Sequence, residues 1–446
     1  MNKALISTCT ALALACGQPP QPQPQPMPMP QPMPMPMPMP EKCEAPGLAT
    51  ALEIPVGLRA ELKLPTNTRV TRVDVTDPGE FAVRRLDDTG FELHAPYLAT
   101  ATKLKLTLIC PDNTGTAEVD VTTRMPKWSP LAQWADGMAG HPPNREYGNM
   151  WLDSGKLYVF GGFHYRPQQF TASTDLWSFD LATRTWAALT HANPAPEYMG
   201  GRLVELPGTR ERLFLGGVNR NFEPIQHLER LNVDTWTWTS IQAAGAAQYG
   251  DYQPGLVYDS KRARFLSVCG QSQGVHCNVT ALTSPGDAQP RWETVAVEAG
   301  PQPAGRAGHY FAYDAPNDRV IIFAGMAGGI IGDTWALELG ATPAKWVKLA
   351  DDSPALRRRN GAWALDEVNH RLIVWGGTPD GANAAEGIWF LDLEKGSEAW
   401  WRIDPAGGAP ARASAMAVFD AANRRFIGGF GNTSAGGFPD LWSLDF

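Results

Sequence analysis

Four short runs inside one stretch decide the fold: 308–314 (GHYFAYD), 319–323 (RVIIF), 333–339 (DTWALEL) and 345–349 (KWVKL). Each is rich in aromatic or β-branched residues, and Asn, Asp, Gly and Pro break the chain between them, so each reads as a strand. The second run is apolar throughout, as a strand covered on both faces must be. The first opens on Gly and small residues, which suits a strand crowded against others at an axis.

The pattern recurs. Apolar runs end before Gly161-Gly162, Gly216-Gly217, Cys269-Gly270, Ala324-Gly325, Gly376-Gly377 and Phe430-Gly431, and the second members of these pairs are 55, 53, 55, 52 and 54 residues apart. Third strands repeat Leu176-Trp177, Thr334-Trp335, Ile388-Trp389 and Leu441-Trp442. Fourth strands carry Trp186, Trp238, Trp292, Trp346 and Trp400 or Trp401. A period near fifty with four strands per unit predicts a β-propeller of six blades, its large aromatics filling the wedges between sheets. The chain stops on a third strand, 440–446, and the absent fourth is found at 127–131 (KWSPL), similar to 345–349. The expected closure pairs the two, which removes an open sheet edge.

Hydrophobic run, Gly-Gly and spaced Trp together resemble the kelch repeat, over residues 127–446. Some units depart from it: Glu229 stands where a third-strand Trp falls elsewhere, and Cys269, Ala324 and Phe430 replace the first Gly. The resemblance implies an all-β chain with a six-bladed kelch-type propeller, of the superfamily that includes galactose oxidase.

Upstream the composition changes three times. Residues 1–16 combine Lys3, a short apolar stretch and Ala13-Leu14-Ala15-Cys16, which reads as a secretory signal too short to span a membrane. The Ala-Leu-Ala-Cys stretch resembles a bacterial lipobox, which implies lipidation of Cys16 and an exported, lipid-anchored site at the cell envelope, outer membrane in a Gram-negative cell. Residues 17–41 alternate Pro with Gln or Met and are expected to form a polyproline II stalk. Residues 42–126 hold short alternating strands such as 103–108 (KLKLTL) and 117–121 (AEVDV), and predict an antiparallel, Ig-like β-sandwich. Of six cysteines, four remain beyond Cys9 and Cys16, an even number suited to two disulfides; domain logic favours Cys43–Cys110 and Cys269–Cys277.

Formal charge is −8, without a long basic run, which argues against general nucleic-acid binding. The candidate site lies at one mouth of the ring. Counting eight residues back from Asp153, Asp259, Asp314, Asp366 and Asp420 gives Arg145, Asp251, Arg306, Arg358 and Arg412, and the second unit supplies Tyr198. Loops beside them carry His164, Tyr165 and His276, and the inner strand starts add Glu146, Glu197, Tyr252 and His309. Guanidinium forks suit carboxylates or acidic sugars, so these residues are expected to bind a protein or extracellular glycan. A repeated Arg also suits a structural role, bonding loop carbonyls of a neighbouring blade. Copper chemistry like that of galactose oxidase would need His, Tyr and a cross-linked Cys, and the eight histidines are scattered over different units. The expectation is therefore a recognition module without catalysis or cofactor, membrane contact coming through the lipid alone. The alternative is a carbohydrate-active enzyme, of sugar-acid isomerase or copper oxidase type.

Overall fold

The computed structural model describes residues 48–446, apart from 77–80, 111–112, 167–168, 194, 196, 220, 226–227 and 246–250 and the side chains of 110, 113, 165–166 and 169–170. The expected leader, stalk and Cys43–Cys110 bridge lie outside the described residues. Among those described, every regular element is a β-strand.

Residues 127–446 form six four-stranded antiparallel sheets, five of them each built from one repeat. In the fourth, Tyr310–Asp314, Arg319–Met326, Ile330–Glu338 and Lys345–Ala350 follow one another in space as in sequence. The second strands are the most buried, with Arg371–Trp375 covered at every position, which is why they read as unbroken apolar runs. Six core clusters alternate with the six sheets. Phe160 and Leu176 pack against Tyr198 and Phe214 between the first and second sheets, and Leu213 against Phe265 between the second and third. Leu266 packs against Ile322, Phe323 against Val374, and Trp375 against Phe426 and Trp128. The series returns to its start where Ile427 and Leu441 of the sixth sheet meet Leu157 and Val159 of the first.

The sixth sheet is completed from the other end of the region. Lys127–Gln133 runs antiparallel to Asp440–Asp445, with Trp128 opposite Leu444 and Ser129 opposite Ser443. Trp128 is 4% exposed, its ring centre 4.9 Å from that of Trp375. A side chain of that size in a core contact contributes several kcal/mol, of order 3–5.

The small pair that ends each second strand has a backbone cause. Gly161, Gly216, Cys269, Ala324, Gly376 and Phe430 all have φ between 55° and 74°, the left-handed region. The residue after each is Gly in all six, and a Cβ on Gly162 would sit 2.6 Å from the carbonyl oxygen of Glu146. Positive φ alone tolerates a side chain at some cost; positive φ plus a backbone wall does not.

Before these sheets lie two more, of four and three strands, that share a core of Ile54, Phe91, Leu93, Leu104, Leu106, Leu108, Val119 and Val121. Alternation along Ala101–Cys110 puts Leu104, Leu106 and Leu108 inward. One pairing departs from the antiparallel expectation: Ala51–Pro55 runs parallel to the end of Asn113–Arg124, because several strands intervene and the chain can return in either sense. The pair of sheets leans on the fifth and sixth repeats. Arg371 donates to the Gly57 carbonyl at 3.3 Å, Arg59 to Glu394 at 3.2 Å, and Tyr97 stacks on Trp401 at 5.4 Å.

Candidate functional site

The mouth is built from the segments that lead into each first strand and from the loops after each second strand. Where the mouth loop ends, a D-x-W sequence leads into the third strand in the first, fourth and sixth repeats, and it decides what the arginines do. Arg145 donates to both oxygens of Asp175 at 2.8 Å and to the Gly161 carbonyl at 3.0 Å. Arg306 repeats this on Asp333 and Ala324, and Arg412 on Asp440 and Phe430. In each, the indole N–H of Trp177, Trp335 or Trp442 donates to the same carboxylate, at 2.6–2.8 Å. Burial pushes the Asp175 carboxyl up. The Arg145 charge and hydrogen bonds from Arg145, Ser173 and Trp177 outweigh it and hold the group well below the usual carboxylate range.

These three arginines are at most 1% exposed. The forks expected to greet a ligand are filled from within, by the carbonyl and carboxylate of their own repeat. The carbonyls are not those of the next repeat either. Arg358 departs from the set because Gly387 occupies the position of the aspartate. It donates to the carbonyls of Leu356 and Ala355, lies 5.4 Å over the Trp389 ring and is 2% exposed.

The remaining two positions are internal as well. Asp251 takes the arginine's place in the third repeat and bonds His276 Nε2 at 2.9 Å. Tyr198 is stacked on Phe214, ring centres 3.7 Å apart, and burial raises its phenol pKa well above the usual value. His164 is half-buried on the hairpin Phe163–Arg166, Gln169–Ala172; Tyr165 is opposite Phe170 there. His309 is buried and held neutral, its pKa pushed down to about 3 by burial first and by the charges of Arg306 and Arg202 next. Cys269 and Cys277 form a disulfide across the third repeat's mouth hairpin. Lipidation of Cys16 lies outside the described residues.

Sequence reasoning missed a girdle two residues further on. Tyr147, Gly200, Gln253, Gly308, Asn360 and Ser414, one per repeat, all have φ of 54–72°. Backbone N–H groups link them: Tyr147 to Ser414, Gly200 to Tyr147, Gln253 to Gly200, Asn360 to Gly308 and Ser414 to Asn360, at 2.5–3.4 Å. Across the axis Gln253 donates to Asn360 at 2.9 Å, and Asn360 to the Tyr147 hydroxyl at 3.2 Å. The available signal was the enrichment of Gly, Asn and Ser at this register, residues that accept left-handed backbone. Next to the girdle, Glu146 is buried, and desolvation lifts its carboxyl to about 7 against a lowering hydrogen bond from Ser414.

With the repeated charges satisfied internally, the mouth's solvent-facing character comes from loops that differ between repeats. Phe222 is 61% exposed on the second repeat's loop, and Val275 is 37% exposed where the strand Val275–Thr283 begins. Among the described residues no group of three His, Cys, Asp or Glu is arranged as a metal site.

Residues 264–446 match the family described as the KLHDC2/KLHL20/DRC7 Kelch-repeats domain. Kelch domain-containing protein 10 of Xenopus laevis is 34% identical over 122 residues, 26% of this chain and 28% of that protein. Adagio-like protein 3 of Oryza sativa is 28% identical over 151 residues, 33% of this chain and 23% of the relative. Tip elongation aberrant protein 1 of Schizosaccharomyces pombe is 28% identical over 187 residues, 40% and 16% of the two chains. The alignments thus span between 16% and 28% of these relatives' lengths. The matches support a kelch-repeat protein.

Proposed function

We propose that this kelch-repeat protein is a non-catalytic protein-interaction module, a six-bladed propeller carried on a small Ig-like sandwich. Supporting the propeller reading are the six intersheet cores that return to their start and the hydrogen-bonded girdle around one axis. Kelch-repeat domains generally bind proteins, and the mouth here suits that use: its repeated charges are consumed in holding the loops, leaving divergent loop tips to select a partner. The carrying observations are the internal Arg–Asp–Trp units of the first, fourth and sixth repeats and the exposed Phe222 on the second repeat's loop. Export and lipid anchoring extend the proposal, supported by the leader sequence and by the Cys269–Cys277 disulfide, a bond of oxidising compartments.

The test is a photo-crosslinking amino acid in place of Phe222, with a second at Lys261 in the turn at the far end of the third repeat as control. A discrete protein cross-linked in the source cell from position 222 and not from 261 supports the reading. Equal or absent capture at both, or retention on a glycan array instead, contradicts it.

A further inference from the structure

Beneath the girdle the first strands line a partly open cavity of about 200 Å³, whose apolar side chains include Leu203, Leu256 and Met416 and whose surface is about as polar as apolar. Arg202, from the second repeat, reaches across it. Its guanidinium carbon lies 4.8 Å from the ring centre of Trp363 in the fifth repeat and 5.4 Å from that of Phe311 in the fourth. Two aromatic rings thus take up the guanidinium, and its remaining capacity is along the N–H edge. That edge is under-used: Nε donates to the Pro254 carbonyl at 3.3 Å, and among the described residues no carboxylate pairs with it.

The contrast with the mouth arginines is sharp. Arg145, Arg306 and Arg412 are each matched by an aspartate, whereas among the described residues no acidic side chain lines the cavity that Arg202 enters. The one amide there, Asn149, is already committed to the Gly201 carbonyl and the Leu203 N–H. Arg202 is half-buried, and a cation partly withdrawn from water without a counter-charge is stabilised by an anion supplied from outside. Burial accordingly lowers the Arg202 pKa to about 10.

We propose that this axial cavity binds a small organic carboxylate with a flat apolar body, with Arg202 as its counter-ion. A single guanidinium matches one carboxylate fork to fork, while a phosphate dianion would keep a second charge that no other cation pairs among the described lining residues. The volume falls below that of usual drug-sized sites, which limits the ligand to a small one. The site is independent of the loop tips at the mouth, so its failure leaves the protein-interaction reading intact.

Calorimetric titration of the full chain with benzoate tests it, alongside benzamide, acetate and inorganic phosphate. Saturable benzoate binding, at least about tenfold tighter than benzamide and lost by a similar factor in Arg202→Met, is the expected result. Benzoate binding no tighter than benzamide, phosphate binding tighter than benzoate, or an unchanged affinity in Arg202→Met overturns the proposal. If Arg202→Met does not fold, the ligand comparison on the unaltered protein decides alone, and absence of benzoate and acetate binding up to millimolar concentration overturns the proposal there.

Discussion

Arg306 and Asp333 meet through two hydrogen bonds of 2.7 and 3.2 Å, and the Trp335 indole donates to the same carboxylate at 2.7 Å. The unit ties the start of a repeat to its third strand and leaves the guanidinium wholly buried. Removing one partner strands the other's charge. Asp333→Ala should therefore cost about 3–5 kcal/mol of stability in urea unfolding, and Arg306→Met with Asp333→Leu should recover much of it. A ligand-binding role for Arg306 predicts the opposite, little change in stability.

Glu146 makes stability depend on pH. Its carboxyl is raised from 4.5 to about 7 in the folded chain, chiefly by burial. A raised folded value means the native state holds the proton more tightly, so the contribution is full below pH 4.5 and is lost as pH climbs through 7. The difference amounts to at most about 3 kcal/mol. Glu146→Gln should be more stable than the parent at about pH 8, equal to it near pH 4, and flat between them, as read from urea midpoints.

Trp128 tests the joining of the two ends. Trp128→Ala should lose about 3–5 kcal/mol, as for a core aromatic, although its strand partner Leu444 lies at the opposite end of the repeat region. In thermal melts the comparison is Val368→Ala, at a 59% exposed apolar residue in a turn of the fifth repeat, which should melt as the parent does.

The Cys269–Cys277 bond closes a short hairpin, with a sequence separation of 8. Its removal by Cys269→Ser with Cys277→Ser should cost about 2–3 kcal/mol on loop-entropy grounds. Intact-mass measurement before and after reduction and alkylation reports whether the pair is oxidised in the isolated protein.

The six repeats were legible because a strand covered on both faces must be apolar throughout, and six such runs in phase leave little room for another reading. The origin of the sixth sheet's last strand was legible for the same reason: Lys127-Trp128 matches Lys345-Trp346 in register. The role of the arginines was not. Arg145 and Asp175 are 30 residues apart, and nothing in the spacing says that an Asp two positions before a Trp returns beneath the mouth. The girdle was hidden differently, since Tyr147, Gln253 and Ser414 share a backbone conformation and no side-chain chemistry. Arg202 escaped notice because its register neighbours in other repeats, Asn149, Gly255 and Ala362, carry no charge.

Closure of the repeat region is tested most directly by a cross-link between its two ends. Ser129→Cys and Ser443→Cys place thiols on directly opposed residues of the antiparallel pair. Peptide mapping after mild oxidation should recover the 129–443 disulfide in nearly all molecules, with a raised melting temperature. Failure of the two cysteines to join, in a protein that otherwise folds as the parent does, would contradict the completion of the sixth sheet by residues 127–133.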